Sequence, residues 1–219
     1  MPYTIETLGE DALLLRFGDA VDAAVNARVH ALSQRIERVR PPWLRDLVPA
    51  YASLALFVDA DAFDCTLEPL DEARDWLQQQ AFVADDAGIA GRSVEIPVRY
   101  GGEHGPDLAT LATHAGLGED DVIARHCAVE YRVAMLGFSP GFPYLLGLDP
   151  RLAMPRLDTP RTRVPAGSVG IGGAQTGIYP QTGPGGWRII GRTTLALFDP
   201  LRDPPTLLAP GDRVRFIAA

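Results

Sequence analysis

The chain has 219 residues, 47% hydrophobic and 22% charged, the size of one large or two small globular domains. Its net charge of −8 argues against a nucleic-acid role. All 20 basic residues are arginine, which excludes lysine Schiff-base chemistry and a Walker A phosphate loop.

Residues 3–17 read as two strands, Tyr3-Ile5-Leu8 and Leu13-Leu14-Leu15-Phe17, joined by a turn at Gly9-Glu10-Asp11. From Val21 the apolar residues step by three and four through Ala24, Val25, Val29, Leu32, Ile36 and Val39. That spacing predicts an amphipathic helix, stopped by Pro41-Pro42. Leu47–Val58 returns to strand character, and a second helix is predicted from Pro69 to Phe82. The expected first domain, residues 1–86, is a small ββαβα sandwich, with room for one more strand. The small and polar stretch 84–92 is the expected linker. Beyond it, Val94, Ile96, Val98 and Tyr100 alternate as a strand, and Pro97 suggests an edge. Asp107 is placed to cap a short helix, and a second short helix follows Gly118. From Tyr131 onward, short strands and Gly/Pro turns predict a barrel or sandwich. Cys65 and Cys127 form no CxxC and no Cys/His cluster, so no metal site is expected and both are read as small apolar residues. No apolar run is long enough to span a bilayer, and the acidic N-terminus lacks a secretory signal's basic region. The expectation is a cytoplasmic protein without membrane contact.

The segment 131–193 concentrates glycine, proline, arginine and aromatic residues. Such shaped loops on a rigid scaffold are where function tends to sit. Within this half, GPDL at 105–108, H-x4-YRV at 126–133 and GFSPGFPYL at 137–145 stand in order. They are followed by PR-x3-PR-x-RVPAGSVGI at 155–171, TGIYP at 176–180, PGGWRIIGRT at 184–193 and PGDRVRF at 210–216. In these motifs the chain resembles the allophanate hydrolase subunit 1 family, also called the KipI family, which includes the B subunit of bacterial 5-oxoprolinase. The resemblance is strong over residues 90–219 and rests on layout alone before them. It implies an α+β fold, with a cyclophilin-like β-barrel as a second domain over residues 87–219.

The same resemblance implies one component of an ATP-dependent 5-oxoprolinase, opening 5-oxo-L-proline to L-glutamate and inactive alone. The implied partners are the 5-oxoprolinase C subunit, itself allophanate hydrolase subunit 2-like, and the A subunit. ATP is expected to be used by the assembled complex, with no cofactor bound by this chain alone. Two alternatives remain open: a carboxyltransferase-type subunit of a urea or amide carboxylase, and a KipI-like inhibitor of a sensor histidine kinase.

Arg156, Arg161 and Arg163 lie in a proline-stiffened stretch, and rigid guanidinium forks suit a carboxylate or phosphate. The other reading pairs them with Asp149, Asp158 or acids of a partner. His126 and Tyr131 are candidates for acid–base work, set against a hydrogen-bonded core histidine. Arg161 is the third catalytic candidate. Phe138, Phe142 and Tyr144 read either as a groove wall or as barrel core. Gly185, Gly186 and Trp187 read either as an anion-binding turn or as a hairpin whose indole plugs the barrel. Gly167, Ser168, Tyr179, Arg192 and Thr193 complete the expected substrate-binding set. Ser168 has no GxSxG context, so a serine nucleophile is not expected.

Overall fold

The computed structural model describes residues 3–63, 68–80 and 91–219. The expected linker 84–92 for the most part, the predicted helix end at Phe82, and Cys65 lie outside them. The chain divides into two compact units, Met1–Ala90 and Gly91–Ala219.

In the first unit, β1 (Thr4–Thr7) and β2 (Ala12–Arg16) form the expected hairpin, with Thr7 opposite Leu13. Helix α1 runs Ala23–Val39. The side chain of Asp22 accepts from the Val25 N–H at 2.8 Å, so the helix starts beyond Val21. Val21 and Val39 are exposed; Val29 and Ile36 carry the buried face. Arg40 closes the helix in the left-handed region, and Pro41 follows. The single strand expected over Leu47–Val58 is two strands, β3 (Leu44–Pro49) and β4 (Ser53–Val58). Their turn lacks glycine, and the buried Asn26 amide pins it by donating to the Ala50 and Tyr51 carbonyls at 3.1 and 3.3 Å. Helix α2 spans Pro69–Gln80. Strand order is β1-β2-β4-β3, all antiparallel. Leu13, Leu15, Leu54, Leu56 and Val58 from one sheet face meet Val29, Ile36, Ala73 and Leu77 from the helices in one core.

The second unit begins with β5 (Ser93–Tyr100), followed by α3 (Leu108–Ala115), α4 (Glu119–Ala128), β6 (Glu130–Leu136) and β7 (Pro143–Leu146). Then come β8 (Arg161–Val164), β9 (Ser168–Gly172), β10 (Gln175–Ile178), β11 (Gly183–Gly185), β12 (Arg188–Arg192) and β13 (Arg213–Ala218). Seven strands close a barrel in the order β10-β7-β6-β13-β5-β12-β9, and β8 with β11 forms a separate ribbon. Pro97 is therefore not on an edge strand, contrary to expectation. Strand β12 reaches β5 only at Arg99 and Tyr100, so Pro97 has no ladder partner to lose on that side. Strand β13 lies parallel to β5 over Ser93–Val98. Asp212 ties the two together, accepting from the Arg92 N–H at 3.0 Å and from its guanidinium at 2.8 Å. Ile96, Val98, Tyr131, Val133, Val169, Ile171, Val214 and Phe216 fill the core with Leu108, Leu111 and Val122 from the helices.

Candidate functional site

A second, smaller cluster forms beside the barrel core from Phe142, Val164, Tyr179, Trp187 and Ile189, with Tyr144 packed against it. Phe142 is its hub. Tyr144, Tyr179 and Trp187 surround it with ring centroids 4.9, 5.2 and 5.4 Å away, the last two edge-on. Such pairings add to plain area burial. The loop before β7 folds tightly: the Phe142 N–H donates to the Ser139 carbonyl at 3.0 Å and the Gly137 N–H to the Phe142 carbonyl at 3.1 Å. This turn puts Phe138 at φ +67°, a conformation disfavoured for a side-chain-bearing residue. It leaves the ring 65% exposed yet edge-on to Phe142 and Tyr179. The aromatic residues thus make a wall with one ring standing free at its rim. Gly185 lies under that wall, where a Cβ would collide with the Tyr179 hydroxyl.

Arginine borders the wall. The Arg156 guanidinium lies 5.7 Å from the centroid of Trp187, within cation–π range. Arg161 donates from Nη2 to Oδ1 of Asp107 at 2.8 Å. The other oxygen of Asp107 accepts the Ile189 N–H at 2.6 Å. Asp107 is 6% exposed. Its position before α3 is the expected one, but its side chain makes no cap hydrogen bond. The carboxylate instead joins β12 to Arg161. Nη1 of Arg161 is buried and has no hydrogen-bond partner among the described residues. A buried donor left open costs free energy. Burial raises the Tyr179 hydroxyl, against the lowering effect of the Trp187 N–H, Arg156 and Arg161. Arg163 is exposed. Asp149, weighed as a partner for these arginines, is taken by Arg125 at 2.9 Å.

His126 and Tyr131, the acid–base candidates, are both fully buried, the placement of the hydrogen-bonded core reading. The hydroxyl of Tyr131 donates to the His126 carbonyl at 2.9 Å. The Thr176 hydroxyl donates to the Gly170 carbonyl at 3.0 Å, so its oxygen accepts from His126 Nε2–H at 3.1 Å. Nδ1 then accepts the Tyr100 hydroxyl at 2.8 Å. Tyr100 is on β5 and Thr176 on β10, opposite walls of the barrel. Phe216 stacks on the imidazole at 4.4 Å. Burial drives the His126 pKa down to about 3, so the ring is neutral.

The remaining expected residues fall in a different place. Gly167, Arg192 and Thr193 line a cleft of about 550 Å³, with Arg99, His104 and Pro180. Ser168 lies beneath it, 1% exposed. A Cβ at Gly167, which has φ +81°, would collide with the Thr193 carbonyl, so only glycine permits that approach. Gly186 lies with the aromatic wall, its carbonyl accepting the Leu157 N–H at 2.7 Å. Trp187 belongs to the wall as well, which corrects the reading of it as a barrel plug.

The family model for carboxyltransferase domain, subdomain C and D, matches residues 3–208. The chain belongs to this carboxyltransferase domain family. The 5-oxoprolinase B subunit of Bacillus subtilis (strain 168) is 46% identical over 221 residues, 98% of this chain and 92% of that protein. The B subunit of Escherichia coli O157:H7 is 44% identical over 210 residues, 96% of this chain and 93% of that one. A crystal structure of TTHA0988 superposes with a TM-score of 0.81 at 43% identity, covering 96% of this chain. The chain spans 40% of the length of that protein.

In this family member the motif residues separate into two buried clusters. YRV supplies Tyr131 and Val133 to the barrel core, whereas GFSPGFPY and PGGW build the aromatic wall, with Phe138 as its exposed ring. Asp107 and Arg99 do not stand out as site residues from sequence, and His104 has only a weak claim to acid–base work there. Asp107 carries a signal, the GPDL motif, but in sequence that motif reads as a local helix cap, a bond its side chain does not make. Among the described residues, no group of three or more His, Cys, Asp and Glu is gathered as a metal would require, and no helix is long and apolar enough to cross a membrane.

Proposed function

We propose that this chain is the B subunit of an ATP-dependent 5-oxoprolinase, a cytoplasmic complex completed by the A and C subunits. The observation that carries this reading is the near end-to-end likeness to proteins named as the B subunit of 5-oxoprolinase. The site is in keeping with it. A five-membered lactam bearing a carboxylate suits an aromatic wall bordered by guanidinium groups. Arg161, held by Asp107 with Nη1 open, is the group proposed to take an oxygen of substrate or intermediate, with Arg156 beside it. Phe138 and Tyr144, the exposed and half-buried rings, are proposed to face the lactam ring, with Phe142, Tyr179 and Trp187 packed behind them. With His126 and Tyr131 in the core, acid–base chemistry and ATP handling fall to the partners. Opening the ring breaks the amide C–N bond with addition of water, and ATP hydrolysis drives it.

The test is reconstitution. The purified chain alone should release no glutamate from 5-oxo-L-proline. With the A and C subunits and ATP it should, and Arg161→Ala should lower turnover of the trio while the barrel stays folded. A trio that forms no glutamate removes the proposal. The family description, a carboxyltransferase domain, favours one second reading, a subunit of a urea or amide carboxylase. That reading requires bicarbonate-dependent carboxyl transfer from biotin, which the same preparation can be assayed for.

A further inference from the structure

The cleft beside Gly167 holds two groups that the proposed substrate wall does not use. Arg99 on β5 and Arg192 on β12 are directly opposite each other in the barrel ladder, and both are exposed. Like charges in that register repel, and their cost is not offset locally. Among the described residues, the Arg99 side chain makes no hydrogen bond or ion pair. Arg192 spends only Nε, on the Ala166 carbonyl at 2.8 Å. That bond fixes the guanidinium and leaves both Nη groups open. His104 also lines the cleft, and none of the lining residues is acidic. The nearby carboxylate of Glu103 stands 3.7 Å from His104 and is 89% exposed.

The backbone adds donors. Thr194 and Ala196 line the same cleft, and among the described residues neither N–H makes a hydrogen bond. Two arginines, a histidine and two residues with free amides line a cleft of about 550 Å³ in a chain of net charge −8. An acid-free cationic cleft on an acidic protein concentrates negative ligands.

We propose that this cleft is a binding site for a small oxyanion, a carboxylate or phosphate group on a metabolite-sized ligand. Arg99 and Arg192 grip it as paired forks, and the Thr194 and Ala196 amides close on its remaining oxygens. The site is separate from the wall around Phe142 and stands on its own residues, whether or not the assembled complex opens a lactam.

The full-length chain is titrated by calorimetry at low ionic strength with inorganic phosphate, L-glutamate and 5-oxo-L-proline in separate runs. Saturable binding of at least one is expected. Uptake of phosphate alone identifies a phosphoryl ligand, and uptake of the other two identifies a carboxylate. Arg99→Gln and Arg192→Gln should each weaken that binding about tenfold, with melting temperatures not lowered, because both side chains are exposed and each change relieves the repulsion between them. In a parallel NMR titration, the Thr194 and Ala196 amide resonances should move with the same saturation. No saturable binding of any of the three, equal affinity in the R99Q/R192Q double variant, or shifts confined to other residues would overturn the assignment.

Discussion

The His126 ring, neutral across the barrel, makes the second unit's stability depend on pH in a calculable way. An unfolded histidine titrates near 6.5, whereas burial holds the folded one down to about 3. Below pH 6.5 the unfolded chain takes up a proton that the folded chain refuses. The histidine's contribution is therefore complete above pH 6.5 and is lost as pH falls towards 3. The slope approaches about 1.4 kcal/mol per pH unit, so moving from pH 8 to pH 5 costs about 2 kcal/mol from this one ring. The assay is hydrogen exchange, read by mass spectrometry on peptides from β6 and β13 at those two pH values after correction for intrinsic rates. His126→Gln, which keeps hydrogen-bonding capacity without titrating, supplies the reference and cancels the other histidines. The wild type should lose about 2 kcal/mol more protection than the variant. Equal losses would refute the reasoning, as would a His126 Cε1 proton that titrates near 6.5 by NMR.

Thr176→Val, close in shape, removes the acceptor of His126 Nε2–H and should cost about 1–3 kcal/mol in denaturant unfolding; a neutral result would mean that the cross-barrel link carries no net energy. Asp107→Ala leaves the Arg161 guanidinium and the Ile189 N–H without their shared acceptor. A loss of about 3 kcal/mol is expected, seen as a melting shift on the order of 10 °C, with Asp107→Asn milder because one acceptor oxygen survives. Gly185→Ala drives a methyl into Tyr179 and should cost about 1–3 kcal/mol, with a change in Trp187 fluorescence as the wall shifts; an unchanged spectrum and midpoint would show that the wall yields freely.

Local chemistry made some of this molecule legible in its sequence. The three-and-four spacing of Val29 to Ile36 marked α1, and the alternation of Val94 to Tyr100 marked β5. The break within 44–58 escaped because the turn at Ala50–Ala52 is held by Asn26 from another element rather than by glycine or proline. Asp107 read as a helix cap for the same reason. Its two partners lie 54 and 82 residues away, and nothing near it in sequence announces them. For His126 the sequence left a catalytic and a core reading open, and its tautomer depends on Thr176 and Gly170, which lie far from it in the chain. Arg99 and Arg192 become a pair only through ladder register, which no spacing in the chain encodes.

The parallel contact of β13 with β5 sets the order in which this unit can be made. Asp212 meets Arg92 across 120 residues, and β13 is the stave between β5 and β6. Until it emerges from the ribosome, those two strands have a gap between them and expose the rows that β13 will cover. Closure is thus a late, long-range event, which makes for slow folding. A nascent chain halted before Arg213 would present a ready template for a stray strand.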